Sequence, residues 1–211
     1  RHGPMSGAEG FRKNVELAET LRKTLGDDDD IMLDCWQSMD VNYVTRLAEQ
    51  IAEYRPRWLE EVAMPDRIDS YRKIREKTNI PIAGAEHEYT RWGFRPIVEN
   101  KAMDVLQPDI YWCGGISEML KICAMASAFD LPVIPHGHSS HATAHLIASQ
   151  SPVTCPIQEF LIKWNSVHQF FLKDQLIPEN GIIKVPQGPG LGLAIDEDKV
   201  TEEKELNFRD I

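Results

Sequence analysis

The chain has 211 residues, 42% of them hydrophobic and 8% aromatic, which is enough to bury one sizeable core. Lys and Arg number 23 against 33 Asp and Glu, for a formal charge of -10, so no basic footprint for nucleic acid or an anionic membrane is present. Apolar runs such as Leu131 to Pro135 fall far short of the roughly 20 residues that span a bilayer, and no charged-then-apolar leader opens the sequence, which leaves small-molecule chemistry as the expectation.

In chain order, "RHGPMSGAEGF" is a Gly-rich loop followed by an amphipathic helix through Val15, Leu17, Leu21 and Leu25. Six apolar, strand-like runs come next: "IMLDCW" ending at Trp36, "RWLEEV" at Val62, "IPIAGAEHE" at Glu88, "VLQPDIYW" at Trp112, "LPVIPHGH" at His138 and "PIQEFL" at Leu161. Helical periodicity fills the gaps, with Val44, Leu47, Ile51 and Tyr54 in one stretch and Ile116, Met119, Leu120 and Cys123 in another. Alternating βα units with apolar strands predict an α/β fold built on a parallel sheet buried on both faces. The last stretch, "GIIKVPQGPGLGLAID", is rich in Gly and Pro and predicts a closing turn with a short extended segment.

Asp34, Glu60, Glu86, Asp109 and His136 each fall at the carboxyl end of a different predicted strand, with spacings of 26, 26, 23 and 27 residues. An even ring of polar side chains at successive strand ends favours a (β/α)8 barrel over an open sheet, whose site gathers at a single switch point. Six strands are two short of a barrel, so the sequence reads as a partial one.

The ring divides into two constellations. Asp34, Glu60 and Glu86 would converge as an all-oxygen site for a hard cation such as Mg²⁺, leaving about half of the octahedron open. Glu61 competes with Glu60 for that role, and strand alternation alone separates them. Asp109 and His136, from consecutive strands, could hydrogen-bond, fixing one imidazole nitrogen and freeing the other as a base. "HGHSSHATAH" also spaces His141 and His145 one helical turn apart, as in zinc-binding pairs, but Ala142 stands where zinc proteases carry a glutamate. Cys35, Cys113, Cys123 and Cys155 show no paired spacing and read as reduced thiols of a cytoplasmic protein.

These motifs, across essentially the whole chain, resemble the enolase superfamily in its mandelate-racemase-like branch. "MLDCW", "WLEE" and "GAEHEYTRWGF" look like that branch's three metal ligands (Asp34, Glu60 and Glu86), "QPDI" and "IPHGHSSH" like its Asp–His dyad (Asp109 and His136), and "GLGLAID" like its closing segment. The resemblance implies that residues 1–211 are strands three to eight of the barrel plus the closing segment, without the N-terminal capping domain and the first two strands. It implies Glu159 in "PIQEF" as the glutamate facing the substrate, His87 in the substrate pocket, and Trp36 and His138 as further substrate contacts. "LDCWQSMDV", "EHEYTRWGF" and "PHGHSSHATAHL" are especially similar to the branch's acid-sugar dehydratases. The implied function is Mg²⁺-dependent dehydration of an aldonic acid, L-rhamnonate in particular, with L-mannonate, L-lyxonate and L-galactonate as alternatives and a non-catalytic metal-binding member as the rival from another class. A homo-oligomer is the implied assembly.

Overall fold

The structure is a computed structural model that describes residues 2–205 and 207. A 19-residue helix, α1 (Gly7–Leu25), leads into four short parallel strands separated by helices: β1 (Met32–Asp34), α2 (Val41–Ile51), β2 (Trp58–Glu60), α3 (Ile68–Lys77), β3 (Ile82–Gly84), α4 (Thr90–Glu99) and β4 (Val105–Leu106). The strands pair in sequence order, β1-β2-β3-β4, and the sheet does not close on itself among the described residues. After β4 come α5 (Ile110–Cys113), α6 (Ile116–Ser127), α7 (Ser140–Ala148) and α8 (Ile162–His168).

The predicted α/β parallel architecture is therefore present, with three corrections to its strands. The run ending at His138 makes only a single parallel bridge, Val133 to Leu106, and the run ending at Leu161 forms no strand. Prolines explain this, because Pro132 and Pro135 bring no N–H to the ladder. The arc still continues through isolated backbone bonds, from Val133 N to Thr154 O (2.7 Å), Ile134 N to Leu106 O (2.8 Å) and Glu159 N to Pro135 O (3.3 Å). The run ending at Trp112 is likewise shorter than predicted, since Asp109 ends it by capping α5: its side chain accepts from the N–H groups of Tyr111 and Trp112.

The helices pack outside the arc and the apolar strands lie between, which places the core on both faces of the sheet. Val44, Leu47 and Ile51 of α2 and Met119 and Cys123 of α6 are buried as their periodicity predicts, while Leu120 is partly exposed. The stripe expected on α1 is buried only in part: Val15 packs against the core, but Leu17 is 48% and Leu25 43% exposed, and the fully buried positions are Gly10, Asn14 and Ala18. Gly10 leaves room for the side chains of His2 and Ser6, and the Asn14 amide donates to Tyr43 Oη at 3.0 Å across the contact of α1 with α2. The four cysteines are buried and form no disulfide among the described residues, and the sulfurs of Cys123 and Cys155 meet at 3.8 Å. No described helix is long and apolar enough to cross a membrane.

Candidate active site

Parallel strands all end on one side of the sheet, so whatever follows each strand collects there. A cavity of about 430 Å³ opens at that side, lined by Asp34, Trp36, Glu60, Glu86, His87, Trp112, His136, His138, Glu159, Leu161 and Trp164. Eight of the nine singled-out site residues are in its lining; Asp109 lies behind it, fully buried.

Register explains the first two carboxylates. Asp34 pairs with Glu60 at the last position of β1 and β2, so both side chains leave the same end of adjacent strands. Glu86 does not share that register, because Glu60 pairs with Ala83. The chain turns at Ala85, whose φ of 78° is left-handed, and this brings Glu86 back into the cavity. Trp36, Gln37 and Glu61 also have positive φ just past their strands, each costing on the order of 1–3 kcal/mol that the surrounding bonds must offset.

Glu60 and Glu61 are now separated. Glu61, fully buried, accepts from Ala85 N (2.7 Å) and Gln37 Nε2 (2.9 Å), and so ties the turns after β1, β2 and β3 together. Gly84 makes this possible, since a Cβ there would stand 2.7 Å from Glu61 Oε1. Glu60 lines the cavity instead, and its Oε2 accepts from Trp58 Nε1 (2.9 Å) and Gln107 Nε2 (2.8 Å).

Burial pushes Glu60 up to about 7, and the charges of Glu159 and Asp34 add to it. Burial likewise pushes Glu86 up to about 8, with Glu61, Glu60 and Asp34 raising it further against the pull of His136. Glu159 is raised, first by burial and then by Asp34 and Asp109.

His136 sits where the extended run after β4 ends. Its Nδ1 is 2.8 Å from Asp109 Oδ2, while its Nε2 is 3.3 Å from Glu86 Oε2 and 3.9 Å from Glu159 Oε2. The other oxygen of Asp109 is committed to the backbone of α5, so this carboxylate is fixed before the imidazole meets it. Burial lowers the basicity of His136, but the bond to Asp109 and the charges of Glu159 and Glu86 outweigh it and lift the group to about 9. His138 is 3.3 Å from the same Asp109 oxygen, and burial and its charged neighbour His136 hold it below the ordinary histidine range. Glu159 is anchored by the N–H of Gly137 at 2.9 Å. A Cβ at Gly137 would stand 2.8 Å from Leu161 Cγ, so this close approach requires glycine.

His87 contacts Gln37 Nε2 at 3.0 Å and Glu86 Oε1 at 3.3 Å, and meets Trp112 edge-on. Trp112, Leu161 and Trp164 line the cavity without having been singled out; Trp112 and Leu161 close two of the predicted strand runs and Trp164 lies beyond them, and an apolar residue at such a place reads as core. His141 and His145 belong to no cluster of three possible metal ligands among the described residues: His141 is buried in α7, and His145 Nε2 contacts Leu191 O at 3.2 Å. The tight clusters are Asp109–His136–His138 and Glu61–Glu86–His87, each drawn together by the bonds just described.

Residues 4–199 match the family model described as Enolase C-terminal domain-like. The chain is 37% identical over 204 residues to L-rhamnonate dehydratase of Saccharopolyspora erythraea, a match covering 93% of this chain and 52% of that protein. Among solved structures, L-rhamnonate dehydratase from Gibberella zeae superposes with a TM-score of 0.81 at 32% identity, over 92% of this chain and 51% of that one. A Gibberella zeae rhamnonate dehydratase complexed with Mg gives a TM-score of 0.80 at 34% identity, over 92% and 50%. The chain thus spans about half the length of the relatives it matches. It belongs to the enolase superfamily, in the Enolase C-terminal domain-like family.

Proposed function

We propose that this chain is the barrel portion of a Mg²⁺-dependent acid-sugar dehydratase, with L-rhamnonate as substrate. The observation that carries the reading is His136, held on Nδ1 by a buried carboxylate and presenting Nε2 to a cavity of further carboxylates. The 37% identity to L-rhamnonate dehydratase supports the choice of acid. Residues 1–211 are then strands three to eight and the closing segment, and strands one and two with the capping domain complete the enzyme.

Asp34, Glu60 and Glu86 would hold the cation. The donor set fits: three carboxylates face one cavity whose lining includes no Lys or Arg, and burial with mutual repulsion already drives two of them toward protonation. When bound, Mg²⁺ supplies positive charge beside the substrate carboxylate and 2-hydroxyl, and offsets the anionic neighbours that keep His136 protonated.

The chemistry assigned to the protein is proton movement. His136 Nε2 takes the hydrogen from carbon 2, and Asp109 holds the imidazole in the tautomer that leaves Nε2 free. The same proton then goes to the 3-hydroxyl, which departs as water, and the resulting enol tautomerises to a 2-keto-3-deoxy acid. Glu159, raised by burial and held by the N–H of Gly137, would hydrogen-bond the oxygen on which charge develops, either carrying a proton or working through water. His87, His138 and Trp36 line the substrate space.

An assay of L-rhamnonate, L-mannonate, L-lyxonate and L-galactonate for 2-keto product, with and without Mg²⁺, tests the reading. Turnover of L-rhamnonate that EDTA abolishes is expected; preference for another acid replaces the substrate, and absence of turnover on every acid removes the activity. A cytoplasmic homo-oligomer is the accompanying expectation, checked by fractionation and sedimentation.

A further inference from the structure

Among the proposed ligands, Glu60 has an unusual setting. Both of its protein donors, Trp58 Nε1 at 2.9 Å and Gln107 Nε2 at 2.8 Å, reach the same oxygen, Oε2. Trp58 lies two residues earlier on the same face of β2, in the small inner core with Ala83, Val105 and Ile134, so its indole stands directly beneath the site. Gln107 comes from the far side of the arc, its backbone N–H donating to Gly84 O at 2.8 Å.

With Glu60 ionised, as it would be when holding a cation, the amide of Gln107 can face only one way. With Nε2 on the carboxylate, its Oε1 is buried without a hydrogen-bond partner, the one such side-chain atom among the described residues. Turning the amide over would set that oxygen against a carboxylate oxygen. A glutamine kept only to fill space would not strand its own acceptor, so the donor half is the part in use.

We propose that Gln107, together with Trp58, is a positioning residue that fixes the carboxylate of Glu60 by its Oε2 and so leaves Oε1 aimed at the cation. The inference rests on the reading of Glu60 as a ligand. A pre-aligned oxygen loses less freedom on coordination, and partners behind a ligand are commonly worth tenfold to a hundredfold in metal affinity.

The test is Mn²⁺ titration of the full chain, with free Mn²⁺ followed by electron paramagnetic resonance and folding checked by thermal melting. Gln107→Met removes one donor at nearly constant volume, and Trp58→Phe removes the other while keeping a smaller aromatic ring in its place. Each is expected to weaken Mn²⁺ binding by about tenfold or more while the melt stays cooperative. A folded Gln107→Met protein that binds Mn²⁺ as tightly as the unaltered chain overturns the proposal; if that variant does not fold, unaltered binding by Trp58→Phe overturns it. Glu60→Gln separates the two layers of the argument. Loss of Mn²⁺ binding there with none in the other variants removes only the positioning role, whereas full binding by Glu60→Gln removes the ligand assignment itself.

Discussion

The two arcs of the molecule place their functional groups by different means. From β1 to β4, residues 32–106, a backbone ladder sets the positions: Asp34 and Glu60 stand side by side because Met32, Leu33 and Asp34 pair with Trp58, Leu59 and Glu60. From Val133 to His168 the ladder has dwindled to one bridge, and side-chain bonds take over, with Asp109 gripping His136 and Gly137 gripping Glu159. A ladder is indifferent to any single side chain, whereas a clamp fails with the loss of one partner. Substitutions in the second arc should therefore disturb chemistry directly, and those in the first should divide between metal binding and stability.

The largest effect is expected from His136→Asn. Dehydration should fall by at least about a thousandfold, and solvent deuterium exchange at carbon 2, read by proton NMR, should vanish with it. Retained exchange would take the base role from His136. Asp34→Asn comes next, with Mg²⁺ affinity from calorimetry and turnover declining together by about a hundredfold; a fully active variant would contradict its place among the ligands.

Glu61→Gln sharpens the contrast between neighbours. Glu61 ties three turns together without lining the cavity, so this variant should lose about 1–3 kcal/mol of stability by denaturant titration yet, once folded, bind Mg²⁺ normally. A selective loss of metal affinity would mean that Glu61 takes part in coordination. Gly137→Ala should cost a similar or smaller amount, about 1–3 kcal/mol, as Leu161 moves aside for the new methyl.

The smallest effect is a pH dependence. Glu60 and Glu86 keep their protons up to about 7 and about 8 in the folded chain, against 4.5 ordinarily, and His136 keeps its own to about 9 against 6.5. In each case the folded form holds the proton longer than the unfolded chain. The stability that follows is complete below about pH 4.5 for the carboxyls and 6.5 for the imidazole, and is lost as pH rises through 7 to 9. Melting temperature of the metal-free protein should decline over that range and recover with added Mg²⁺. A flat profile would show that the carboxylates do not crowd one another.

Much of this was legible in the residues. The runs predicted to end at Trp36 and Val62 became strands ending two residues earlier, at Asp34 and Glu60; β2 is buried on both faces, as apolar residues at consecutive positions predict, while β1 at the edge leaves Met32 exposed. The run through Leu161 looked similar and formed no strand. Its partner segment carries Pro132 and Pro135, and whether a proline breaks a ladder depends on which neighbour needed the missing N–H. The stripe on α1 held only at Val15, because which face of a helix is buried depends on what packs against it, and here the neighbours cover Gly10, Asn14 and Ala18 and leave Leu17 and Leu25 exposed.

What the sequence determined by itself was the chemical inventory and its order, namely one carboxylate or imidazole after each apolar run, since that pattern is local. Tertiary structure decided that Glu60 lines the cavity while Glu61 ties the turns behind it, the left-handed turn at Ala85 that returns Glu86 to the cavity, and the pairing of Gln107 with Glu60 across 47 residues. Those outcomes turn on where a side chain points once its neighbours are in place. Distances of a few ångströms between segments far apart in the chain are settled only when the sheet and its helices pack together.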